Sequence, residues 1–140
     1  MQITLDDEMA YAIMAGSEAV FQRQISRVRK EFNYLEEKVS SKILAAIMIV
    51  SLVVEQEGVS TVFRNYESLR EQGISELPAA VMAGSKTTFN QGIEVAVSNY
   101  KSFGDYGRSE LPSAIMATSV IAYQQGVEKV KEDAKSLMPE

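Results

Sequence analysis

The chain has 140 residues, 46% hydrophobic and 24% charged, the make-up of one folded domain with a core of its own. It contains no Cys, His or Trp, which excludes disulfides, Cys or His zinc sites, cysteine nucleophiles and His-based acid–base catalysis. Fourteen basic against nineteen acidic residues give a net charge of -5, which argues against nucleic acid as a partner held by phosphate neutralisation.

The opening residues, Met1 to Glu8, contain no basic stretch leading into an apolar one, so no signal peptide is read and a cytoplasmic location is expected. From Met9 the columns Met9, Ile13, Gly16/Ser17, Val20, Gln24/Ile25, Val28, Phe32 and Leu35 follow in steps of three and four, which predicts one long helix. Asp6, Asp7 and Glu8 near its start and Arg27, Arg29 and Lys30 further on suit the helix dipole. Glu36 to Ser41 hold neither Gly nor Pro, and the next helix is expected to be capped at Ser40 or Ser41. Its apolar run from Ile43 to Val54 falls short of the roughly 20 residues that span a bilayer, so it reads as buried helix and no membrane span is expected. Gly73 with Ser75 opens a third helix and Gly104, Gly107 and Ser109 a fourth, with Pro78 and Pro112 in the first turns.

These segments are copies of one another. Ala12-Ile13-Met14 returns as Ala46-Ile47-Met48, Ala80-Val81-Met82 and Ala114-Ile115-Met116, a period of 34 residues read from positions 12, 46, 80 and 114. The same register aligns Ser17, Ser51, Ser85 and Ser119, then Phe21, Glu55, Phe89 and Tyr123, then Leu35, Leu69, Phe103 and Leu137. The units run over about 7–40, 41–74, 75–108 and 109–140, all within one all-helical domain. A period of 34 invites comparison with tetratricopeptide repeats, but with Pro112 at that family's Pro its Trp and Leu-Gly positions fall on Gly84 and Thr87-Thr88. The expected fold is therefore all-α: four long antiparallel helices of about 25 to 30 residues in an up-down-up-down bundle, closed, splayed or domain-swapped.

Small residues recur on one face: Gly16 and Gly84 with the serine column, then Gly58, Gly92 and Gly126 lower down. Mid-helix Gly costs about 0.5–1 kcal/mol relative to Ala, so the column implies a positional reason, close helix approach. That approach serves either the chain's own core or contacts with other copies, which makes Gly16, Ser17, Ser51, Gly58, Gly84, Ser85, Gly92, Ser119 and Gly126 candidate packing or self-association residues. Arg23, Arg27 and Lys30, at helical spacing, are candidates for contact with a partner protein or for a solvated face paired with Glu31, Glu36 and Glu37. Met14, Met48, Met82 and Met116 read as core filler rather than a soft-metal ring, and a di-iron centre needing Glu-x-x-His pairs is excluded without His. Glu55, the one acid in an aromatic column, is either solvent-facing or a point where unit two meets a partner. Tyr66, Tyr100, Tyr106, Tyr123 and Phe103 read as core more readily than as a ligand platform, with Tyr106 in the Gly104–Gly107 turn. No phosphate loop, nucleophile elbow or dinucleotide fingerprint occurs, so no enzyme and no cofactor are expected.

The segments Pro78-Ala79-Ala80-Val81-Met82-Ala83-Gly84 and Phe89-Asn90-Gln91-Gly92-Ile93 resemble the R-body (refractile-body, killing-trait) structural proteins. The resemblance touches the middle of each unit and implies small helical subunits that polymerise into ribbons. Three functions follow as expectations. The first is a self-associating structural protein whose partners are other copies of itself. The alternatives are a helical adaptor for another protein and a carrier of an apolar ligand.

Overall fold

The computed structural model describes residues 5–105 and 109–137, and every regular element among them is helical. Unit one contains α1 (Leu5–Ala15), α2 (Glu18–Phe21) and α3 (Ile25–Val39). Unit two contains α4 (Lys42–Ile49), α5 (Leu52–Glu57) and α6 (Val59–Glu71). Unit three contains α7 (Glu76–Ala83), a π-helical turn (Thr87–Gln91) and α8 (Ile93–Asp105). Unit four contains α9 (Glu110–Ala117), α10 (Val120–Gln125) and α11 (Val127–Leu137). The expectation of one uninterrupted helix per unit is corrected, and the bundle of four long rods goes with it. Each unit is a helix, a short corner helix and a second helix.

Two features of the sequence make the corner. Ser51 and Ser119 stop the first helix and start the short one, their hydroxyls accepting from the Val54 and Ala122 amides at 3.3 and 3.1 Å. Ser85 accepts from the Thr88 amide at 3.1 Å, while the Thr88 hydroxyl donates to the Met82 carbonyl at 2.7 Å. Seven residues after each of these serines stands Gly58, Gly92 or Gly126, with φ of 92°, 101° and 91° and ψ near 160°. That region is open essentially to glycine alone, so the chain turns sharply there and a new helix begins. Unit one has Gln24 at this place in ordinary extended backbone, and its corner is made without glycine.

The joints between units fall where the sequence places them, but Ser75 and Ser109, expected as caps, precede α7 and α9 without a side-chain cap hydrogen bond, and the Ser75 hydroxyl donates to Glu110 instead. Ser40 ends α3 in the left-handed region at φ 55°, and Ser41 caps α4 by accepting from the Leu44 amide at 3.2 Å. Gly73, at φ 88°, ends α6 in a Schellman pattern: its amide reaches the Arg70 carbonyl and that of Ile74 reaches Leu69. The last helix of each unit then folds back on the first helix of the next, α3 on α4, α6 on α7 and α8 on α9. The amide of Asn65 donates to the Ala83 carbonyl at 3.1 Å and that of Asn99 to Ala117 at 3.3 Å, which fixes an antiparallel register at both joints.

First helices also stack on one another, α1 on α4, α4 on α7 and α7 on α9. Ala45, Ala46, Ala79, Ala80, Ala83, Ala114 and Ala117 are buried in that stack, where short side chains let helices approach closely. Each first helix after α1 thus lies against both the first and the last helix of the preceding unit. One apolar core runs from Ala10 to Ala114, and a small second cluster of Phe103, Ala117, Ala122 and Val130 underlies unit four. Among the described residues no helix is long and apolar enough to cross a membrane.

Candidate functional site

The small-residue candidates fall into three roles inside the chain. Ser17, Ser51, Ser85 and Ser119 are the residues before the corner helices, Ser17 alone without a side-chain cap hydrogen bond. Gly58, Gly92 and Gly126 are there for backbone conformation: a Cβ on any of them would meet nothing within 4 Å, so close approach is not their reason. Gly84 is the residue where close approach does apply. A Cβ there would lie 2.3 Å from the Ser51 Cβ, one unit back. Gly16 occupies the same position in unit one, yet a Cβ there would meet only the Ala12 carbonyl, at 3.4 Å.

Arg23, Arg27 and Lys30 do not form a free basic patch. The Arg23 side chain is 1% exposed, donates to the Ile49 carbonyl at 2.7 Å and pairs with Glu31 at 3.1 Å. Its place is explained by the repeat. Ile49, Ala83 and Ala117 are equivalent last residues of first helices; Asn65 and Asn99 cap the latter two, but unit one has Glu31 at the Asn position, which cannot donate. Arg23, held by Glu31, supplies the missing donor where the helix dipole favours a cation. Arg27 pairs with Glu31 at 3.6 Å with half its side chain in solvent, and Lys30 is exposed.

The surfaces that stand out are the two ends of the stack. Position by position, residues that interior units bury are uncovered in unit one or unit four. Tyr11 is 48% exposed, whereas its equivalents Ala45, Ala79 and Ser113 are 0%, 0% and 1% exposed. Ala12 and Ala15 are exposed, whereas Ala46, Ile49, Ala80, Ala83, Ala114 and Ala117 are buried. The face of α1 that corresponds to the one later first helices turn toward the preceding unit is uncovered among the described residues. Around it lies an apolar slot of about 230 Å³ lined by Tyr11, Met14, Val20, Ile25, Val28 and Phe32.

At the other end the opposite face is open. Leu137 is 84% exposed, whereas Leu35, Leu69 and Phe103 are fully buried. Pro112 is exposed where Ala10, Leu44 and Pro78 are buried, and Ile115 is exposed where Ile13, Ile47 and Val81 are half-buried. The apolar columns at Leu137, Pro112 and Ile115 do not by themselves separate unit four from the interior ones. Only the order in which helices stack makes the same apolar position core in unit two and surface in unit one.

The remaining candidates are absorbed by the fold or stay apart from these faces. Met14, Met48 and Met82 are core and Met116 packs against the small cluster. Tyr66 and Phe103 are buried, Phe63 stacking on Tyr66 with ring centroids 6.3 Å apart, so the aromatics do not form one platform. Tyr106, Gly107 and the Glu55 side chain lie outside the described residues. A polar groove of about 650 Å³, lined by Gln72, Glu94, Lys101, Asp105 and Lys131 among others, runs between the second helices. No protein-family model, no curated protein and no solved structure matches the chain.

Proposed function

We propose that this chain is a non-enzymatic structural protein that assembles with copies of itself. The observation that carries the reading is the pair of uncovered ends: Tyr11, Ala12 and Ala15 at one, Pro112, Ile115 and Leu137 at the other, all at positions that interior units cover. Arrays of stacked units stay separate when their outer faces are polar, and these two faces expose Tyr11, Ala12 and Ala15 or Pro112, Ile115 and Leu137 beside Glu8 and Asp133. A large apolar side chain such as Leu137, left in water, forfeits about 1.5–3 kcal/mol of burial, so contact between ends is favoured. The resemblance of the Pro78–Gly84 and Phe89–Ile93 segments to R-body proteins points the same way.

The test is the mass of the purified chain by light scattering across a wide concentration range, with electron microscopy of the largest fraction. The expected result is mass rising well above 15.5 kDa with concentration and particles of regular width. A mass fixed at 15.5 kDa at every concentration overturns the reading and leaves the helical adaptor, for which the open ends await a different protein.

A further inference from the structure

We propose that copies join head to tail, the Leu137 end of one docking on the Tyr11 end of the next, so that the stack of first helices continues across the seam. This rests on the self-assembly reading and adds its polarity and its residues. The junction between units is asymmetric: one unit presents the faces around positions 35, 69 and 103, and the next fits its first helix against them. The two ends of the chain are the two unlike halves of that junction. A two-fold dimer would set like against like; only a head-to-tail contact brings the halves together.

The internal junctions supply the register, and most matching positions agree in chemistry; Tyr11 does not, a ring standing where the internal junctions bury Ala45, Ala79 and Ser113. Counting four residues toward the joint from Asn65 and Ala83, and from Asn99 and Ala117, sets Leu69 level with Ala79 and Phe103 level with Ser113, all buried. The same register sets Leu137 of one copy level with Tyr11 of the next. The Ser75 hydroxyl donates to Glu110 at 3.1 Å across an internal junction, and the equivalent pair across the seam is Ser109 of one copy and Glu8 of the next, both exposed in the single chain. Ser51 lies against Gly84 inside the chain, and the equivalent pair at the seam is Ser119 and Gly16. Gly16 has the residue that the Ser51–Gly84 contact uses, although the other internal junctions carry Val50 and Thr118 in that column.

A second position differs. Asp133 stands where Asn65 and Asn99 cap the following helix, and a carboxylate cannot donate to the Ala15 carbonyl of the next copy. The seam therefore lacks one hydrogen bond that two of the internal junctions have, and it is the weaker contact. Assembly is expected to be reversible and to depend on concentration.

The experiment uses two variants of the full chain, Ala12→Glu at one end and Leu137→Glu at the other. Both residues are exposed, so helix content and unfolding temperature should match the unsubstituted chain. Tyr11→Lys and Ile115→Lys serve as a second pair should either differ. Each variant alone should stay at 15.5 kDa where the unsubstituted chain grows, and an equimolar mixture should form a one-to-one pair of two 15.5 kDa chains and nothing larger. A single variant that still dimerises, or a mixture that stays monomeric while the unsubstituted chain assembles, overturns the head-to-tail seam but not self-assembly. An unsubstituted chain that never assembles overturns both.

Discussion

Substituting the glycines one at a time separates backbone conformation from close packing, because the structure assigns different reasons to different members of the small-residue columns. Gly58, Gly92 and Gly126 hold φ between 91° and 101° with ψ near 160°, where an L side chain is strained by about 1–3 kcal/mol. Replacing Gly by Ala also lowers the entropy of the unfolded chain, worth about 0.4–1 kcal/mol in the opposite direction. Each Gly→Ala change is therefore expected to cost about 1–2 kcal/mol net, a fall of roughly 3–8 °C in unfolding temperature for a chain of this size. Gly84→Ala should cost about 1–3 kcal/mol for the other reason, the new methyl lying 2.3 Å from the Ser51 Cβ. Removing that Cβ with Ser51→Gly should recover at least about 1 kcal/mol of it in a double-mutant cycle. Gly16→Ala should be neutral or stabilising in the monomer, since its φ is ordinary and the space is open. Urea unfolding followed by circular dichroism reads all six single variants and the Gly84→Ala, Ser51→Gly double variant. The reasoning is refuted if Gly58, Gly92 and Gly126 accept Ala freely, or if Gly84→Ala and Ser51→Gly show no coupling.

Other substitutions and pH test the rest of the account. Arg23→Met should destabilise the chain by about 3–5 kcal/mol, because Glu31 loses its buried partner and the Ile49 carbonyl its donor; denaturant titration showing less than about 1 kcal/mol would place Arg23 outside the core. Ser51→Ala and Ser119→Ala should each cost about 1 kcal/mol, and Ser17→Ala close to nothing, since Ser17 makes no side-chain cap bond; equal losses at all three would contradict the capping assignment. Burial holds the Tyr66 and Tyr100 phenols above 10.0, and hydrogen bonding to Asp7 and to Asp133 holds the Lys42 and Lys129 ammonium groups above 10.5. At alkaline pH the folded chain keeps protons the unfolded chain has lost, so stability is full below about pH 10 and falls as pH rises through the folded values. Tyr66→Phe should flatten that fall, and a melting temperature that rises between about pH 9 and 11 would reverse the sign of the argument.

Much of the local structure is legible in the residues themselves. The joints at Ser41 and at Gly73 are capping chemistry, which depends on a few neighbours and is read directly, whereas Ser75 and Ser109 stand before α7 and α9 without a side-chain cap hydrogen bond. The corner inside each unit is not read from periodicity, because two helices that face one core keep their apolar residues in phase across the break. Val20 and Val28, two turns apart and both buried, stay in phase straight through the corner between α2 and α3. The signal that was present lies in the other columns: a serine, then a glycine seven residues on in three of four units, is a cap followed by a turn residue rather than a helix-packing face. Arg23 is harder still, since its role appears only once Glu31 is seen to replace the capping asparagine of later units. The open ends could not be read from composition or spacing, since Leu137 and Leu35 occupy the same column yet only Leu35 is buried.

Sedimentation velocity on the unsubstituted chain beside a doubly blocked Ala12→Glu, Leu137→Glu chain addresses the central claim most directly, that the uncovered ends are assembly surfaces. The account predicts species that grow with concentration for the first and a fixed 15.5 kDa monomer for the second. Identical growth in both, or a monomer in both, would contradict it.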